Sequence, residues 1–154
     1  MAKIYQLQRE QVIKTDLKTA WDFISRPQNL DRITPPDLSF EILTDLPDTM
    51  HEGLLIEYRV GIPFLGKRTW LTELKHIRTN HSFVDEQRVG PYKLWYHYHE
   101  ITEVENGIRF LDQVRYLMPF EPFGRIAHPF LVTPQLNKIF DYRAQITPKL
   151  LAEN

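Results

Sequence analysis

The sequence contains no cysteine, which excludes disulfide frameworks, thiolate metal sites and cysteine nucleophiles and agrees with a reducing compartment. Nor is there an excess of charge of one sign: 19 Lys and Arg stand against 20 Asp and Glu, a formal net charge of -1. That balance argues against nucleic acid or an anionic membrane surface as partner. No apolar run approaches the roughly 20 residues of a membrane span, and the opening Met1-Ala2-Lys3-Ile4-Tyr5-Gln6 is too polar for a signal peptide. A cytoplasmic location is therefore expected. G-x-S-x-G, G-x-G-x-x-G and P-loop motifs are also missing, so neither a serine-hydrolase elbow nor a nucleotide cofactor is indicated, and no cofactor is expected. Without a linker, low-complexity tract or repeat, residues 1–154 read as one domain.

What is present is periodic. Ile4 to Ile13 is apolar and ends at Thr15-Asp16, either of which can cap a short helix carrying Leu17, Ala20, Trp21 and Ile24 at i, i+3, i+4 and i+7. A further turn over Asn29 to Thr34 stops at Pro35-Pro36. From Leu54 to Ile62 alternate residues are apolar, the pattern of a strand with one buried face, and Arg68 to Ile77 returns. Phe83 to Arg88 and the aromatic run Tyr92 to Val104 follow as strands. Leu136, Ile139, Phe140, Ile146 and Leu150 share a helical stripe; Pro129, Pro134 and Pro148 require breaks or a late start, and the main helix is expected from about Pro134.

Asn106-Gly107 is the strongest hairpin signal. Placing it as the two-residue loop sets Ile101 opposite Asp112, His99 opposite Val114, His97 opposite Tyr116 and Trp95 opposite Met118. One face then carries His97, His99, Asp112 and Tyr116 among apolar neighbours. Burying such groups unpaired costs about 1–3 kcal/mol each. Two readings satisfy that constraint: the four groups pair with one another, His99 diagonal to Asp112 and His97 beside Tyr116, or they line a space that holds water or ligand.

The segments Asn29-Leu30, Thr34-Pro35-Pro36, Phe83-Val84-Asp85-Glu86-Gln87, Gly90-Pro91-Tyr92, Trp95-Tyr96-His97-Tyr98-His99 and Asp112-Gln113-Val114-Arg115-Tyr116 resemble the START-like, or SRPBCC, superfamily, nearest its bacterial polyketide cyclase/dehydrase-like ligand-binding group. The resemblance implies an α+β helix-grip fold: a curved antiparallel sheet of six or seven strands around a long C-terminal helix, with two short helices near the N-terminus. It also implies a hydrophobic cavity walled by Tyr58, Val60, Trp70, Trp95, His97, His99, Asp112, Tyr116 and Phe140. Met50-His51-Glu52-Gly53 departs from the glycine-rich loop of plant members, so no phosphate cradle is expected there.

Three chemistries fit this face. His97 and His99, two apart on a strand, could share a metal with Asp112, although nothing in the spacing demands one and no metal is expected. Acid-base catalysis of a cyclase or dehydratase type would use His97, His99, Asp112 and Tyr116. The preferred reading is a binding or carrier module for a small, largely apolar ligand, with Phe64 and Leu65 as a gate. That Phe64-Leu65 loop would equally cap the core or seed a homodimer. His51, His76, His81 and His128 have no evident partners at ligand spacing and read as ordinary surface or packing residues; Arg143 could lie near inward Phe140, but a surface ion pair with Asp141 or another carboxylate is the preferred reading.

Overall fold

The computed structural model describes residues 3–62 and 66–153; the expected gate, Phe64 and Leu65, lies outside them. Strand β1 (Ile4–Ile13) leads to α1 (Leu17–Ile24), whose N-cap Asp16 accepts from the Thr19 backbone N–H at 2.9 Å. Ala20, Trp21 and Phe23 turn inward, and α2 (Asn29–Arg32) closes the N-terminal helical pair. β2 (Glu41–Ile42), β3 (Leu55–Ile62), β4 (Gly66–Arg78), β5 (Ser82–Val89), β6 (Leu94–Val104) and β7 (Gly107–Leu117) complete an antiparallel sheet of order β1-β7-β6-β5-β4-β3-β2. The expected α+β architecture, with seven strands and a long C-terminal helix, is what the chain adopts.

Two expectations need correction. The first is the hairpin register. Val104 pairs with Gly107, so Glu105-Asn106 forms the loop and every pair moves by two: His99 faces Asp112, His97 faces Val114, and Trp95 faces Tyr116. A type I′ turn on Asn106-Gly107 would need positive φ at Asn106. Among the described non-glycine residues, Asn106 is not one with positive φ, and Gly107 alone in this turn takes that conformation, at 138°. Gly107 also lies where a Cβ would come 2.2 Å from the Ile13 carbonyl oxygen, so β1 presses against the turn. Because a shift of two preserves side-chain parity, the inward face keeps its residues while their partners change.

The second concerns Pro148, which does not break the helix; the late start expected at about Pro134 is what the chain adopts, with the main helix opening at Thr133. α3 (Phe123–Ala127) passes through a π turn, His128–Val132, into α4 (Thr133–Ala152). Pro129 and Pro134 occupy first-turn positions, where a missing N–H costs least. Pro148 sits inside α4, but Ala144, whose carbonyl loses its partner, is exposed to water. Leu136, Phe140, Thr147, Leu150 and Leu151 remain buried along one side.

This helix divides the core in two. Leu150 and Leu151 join Trp21, Ile101, Ile108 and Phe110 at one end. Leu136 and Phe140 join Trp70, Trp95, Val114 and Tyr116 at the other. The polar residues of β5, β6 and β7 lie between the two clusters.

Candidate functional site

Asp85 on β5, His97 and His99 on β6 and Asp112 on β7 occupy adjacent positions across three strands: Asp85 pairs with His97, and His99 pairs with Asp112. Their side chains close a ring in which each imidazole meets both carboxylates. His97 Nε2 lies 2.8 Å from Asp112 Oδ1, and His97 Nδ1 lies 3.3 Å from Asp85 Oδ2. His99 Nε2 lies 2.6 Å from Asp85 Oδ2, and His99 Nδ1 lies 3.0 Å from Asp112 Oδ1. The imidazole centroids are 3.7 Å apart. Phe83 stacks on His99 at 4.3 Å, and Phe140 of α4 meets His97 edge-on at 5.6 Å.

The electrostatics follow from this enclosure. Burial by itself would raise the Asp85 and Asp112 pKa values, but charge and hydrogen bonding from His97 and His99 outweigh it and hold both carboxyls below their ordinary range. Burial by itself would lower His99; hydrogen bonds and charge from Asp112 and Asp85 prevail and raise it to about 9. At neutral pH the ring therefore holds two carboxylates and at least one imidazolium. One nitrogen from each imidazole and one Asp85 oxygen lie within 4.8 Å of one another, so Asp85, His97 and His99 could close on a divalent cation, displacing the proton between His99 and Asp85.

Two cavities flank the ring. The smaller, about 130 Å³, is bounded by Phe23, Ile56, Leu74, Phe83 and Phe110 and reaches His99 and Asp112. The larger, about 200 Å³, is bounded by Val60, Trp70, Tyr92, Trp95, Leu136 and Phe140 and reaches His97. Tyr58, Asp85 and Arg143 border both. Aromatic rings interlock around the larger cavity: Trp70 meets Trp95 at 5.2 Å and Tyr58 at 5.8 Å, and Tyr92 meets Trp95 at 4.9 Å. Burial, with the Asp85 charge, pushes the Tyr58 phenol well above its ordinary pKa, so it stays neutral.

Of the residues expected in the cavity wall, Tyr58, Val60, Trp70, Trp95, His97 and Phe140 border the larger chamber, and His99 and Asp112 the smaller. Tyr116 borders neither. It is buried beside Trp95, and its hydroxyl bonds His128 Nε2 at 2.7 Å instead of pairing with His97. His128, expected in a surface or packing role, also stacks on Tyr5 at 3.6 Å. Arg143 is not a surface ion pair: its side chain is 15% exposed and stands 4.0 Å from Asp112, while Asp141 pairs with Arg9. Asp85 was missed as a site residue, though it lies two positions from Phe83 on the same side of its strand. Finding it required the pairing of β5 with β6.

No protein-family model matches this sequence, and no curated protein matches it by sequence. Solved structures do match in shape. TTHA0849 from Thermus thermophilus is 12% identical over 97% of this chain and 98% of that one, with a TM-score of 0.72. Norcoclaurine synthase from Thalictrum flavum, solved with dopamine and hydroxybenzaldehyde, is 14% identical over 99% and 89%, with a TM-score of 0.69. A nucleoside-diphosphate sugar epimerase from Corynebacterium glutamicum is 18% identical over 93% of this chain but 28% of that one, with a TM-score of 0.65. At these identities the likeness speaks of the fold alone, a helix grip in which an antiparallel sheet wraps a long C-terminal helix.

Proposed function

We propose that this protein binds and carries a small, largely apolar molecule in the chambers between the sheet and α4. The observation that carries this reading is the pair of cavities, about 130 and 200 Å³, walled by aromatic and aliphatic side chains and joined at a buried polar ring. Dry cavities of that total size would cost on the order of 8 kcal/mol at about 24 cal/mol per Å³, comparable with the stability of a whole domain. Occupation by a guest offsets that cost. The aromatic rings supply contact area, and the groups bordering both chambers supply orientation.

A second reading has specific support in the His-Asp ring. His97 and His99 lie between two carboxylates that fix their orientation, the arrangement a general acid and base require for cyclase or dehydratase chemistry on a carbonyl compound. His99, protonated at neutral pH, would serve as the acid. Asp112 and Asp85 would position the imidazoles. Tyr116, engaged with His128, would have no direct part.

Native mass spectrometry of freshly purified protein tests both readings. Carriage predicts a reproducible co-purifying mass that is released unchanged on denaturation. Catalysis predicts conversion of an added substrate, lost in His97→Ala and His99→Ala. Protein that is free of guest and takes up no apolar probe would overturn the carrier reading.

A further inference from the structure

Asp85 and Asp112, which line a chamber together with Arg143, are already engaged. Asp85 and Asp112 each face both imidazoles at 2.6 to 3.3 Å, whereas Arg143 Nη1 comes no nearer than 4.0 Å to Asp112 Oδ1. Arg143 donates no hydrogen bond among the described residues, and its Nε–H is fully buried without an acceptor. Its guanidinium packs 5.1 Å above the Phe140 ring and borders both chambers. A mostly buried guanidinium with unused donors is costly unless something else accepts from it.

The larger chamber contains a second group of the same kind. Trp70 is 8% exposed, borders that chamber, and its indole Nε1–H is also buried without an acceptor. Both orphaned groups of that chamber can only donate. A complementary guest must therefore bring acceptors, and a guanidinium fork is best matched by two coplanar oxygens.

Resting on the reading of the cavities as a binding site, we propose that the ligand is a monocarboxylic acid with a compact apolar body. Its carboxylate accepts from Arg143 where the chambers meet, and its body lies among Trp70, Tyr92, Trp95 and Phe140. The adjacent Asp85 and Asp112 carboxylates select against a dianion such as a phosphate monoester, because a second negative charge would face them without a free cation.

The test compares two probes of nearly equal shape, 2-naphthoate and 2-naphthalenemethanol, titrated into the full chain at neutral pH and followed by quenching of tryptophan fluorescence. Naphthoate is expected to bind about tenfold or more tightly than the alcohol, the worth of a charge-assisted pair against a neutral hydrogen bond. In Arg143→Met, which keeps an unbranched apolar stem and removes the donors, that preference disappears. Equal or tighter binding of the alcohol to the native chain would overturn the proposal and leave the cavity reading standing; this comparison needs no variant to fold. Binding of neither probe would overturn both.

Discussion

His99 Nε2 lies 2.6 Å from Asp85 Oδ2, and the same imidazole presents Nδ1 to Asp112 at 3.0 Å, so its protonated form is gripped from both sides. Its pKa of about 9, against an ordinary 6.5, makes this grip a term in folding. The stabilisation is complete below the unfolded value and is lost as pH rises through the folded one. Unfolding free energy should therefore fall by up to about 3 kcal/mol between about pH 6 and pH 10. Urea titrations across that range would measure it. His99→Gln should flatten the alkaline decline, and a native curve with no decline would refute the assignment.

The two carboxylates act at the other end of the scale. Their folded pKa values lie below 3.8, so their contribution is present above that value and is lost as pH falls through the folded values. Asp85→Asn removes one charge and leaves the imidazoles facing an amide, which should cost about 3–5 kcal/mol at neutral pH, the penalty of breaking a buried ionic network. Combining Asp85→Asn with His99→Gln should cost less than the sum of the two single changes by about 1 kcal/mol or more. Additive losses in a double-mutant cycle would show that the two side chains do not interact.

Gly107 is required by its neighbour as much as by its own backbone. A Cβ there would meet the Ile13 carbonyl oxygen at 2.2 Å, at a φ of 138° that side chains rarely adopt. Gly107→Ala should destabilise the chain by about 2 kcal/mol or more and loosen the β1 edge first. Hydrogen exchange should detect this as faster exchange at the β1 amides that bond to β7. Unchanged protection would mean that the turn relaxes freely.

Much of this architecture was legible because it rests on local periodicity. Alternation from Leu54 to Ile62 and the Leu17, Ala20, Trp21, Ile24 stripe each mark one face of one element, and parity alone placed His97, His99 and Asp112 together even with the register wrong by two. What stayed hidden depends on pairing between elements. Asp85 joins the ring only because β5 aligns with β6, in a region where β4 and β5 shift register twice. Arg143, three residues beyond Phe140 on the inward stripe, carried a signal for burial, yet arginine is seldom buried, so the surface reading prevailed. Tyr116 joined His128 instead of His97 because the π turn brings that histidine back over β1, a path its prolines give no means of foreseeing.

Filling the larger chamber separates its role in binding from its role in folding. Val60 borders that chamber on β3, on the same side of the strand as Tyr58, and is only partly buried. Val60→Phe adds a ring that can occupy part of the roughly 200 Å³ otherwise left to a guest. Replacing empty volume with packed side chain should hold or raise the melting temperature, whereas the same change in a tight core costs about 1–3 kcal/mol. Binding of 2-naphthalenemethanol, which needs no charge partner, should weaken by about tenfold or more. If the melting temperature is kept and affinity is lost, the chamber is a place for a ligand that the fold does not itself need. If affinity is unchanged, the guest sits elsewhere, and the smaller chamber beside His99 and Asp112 becomes the site to block next.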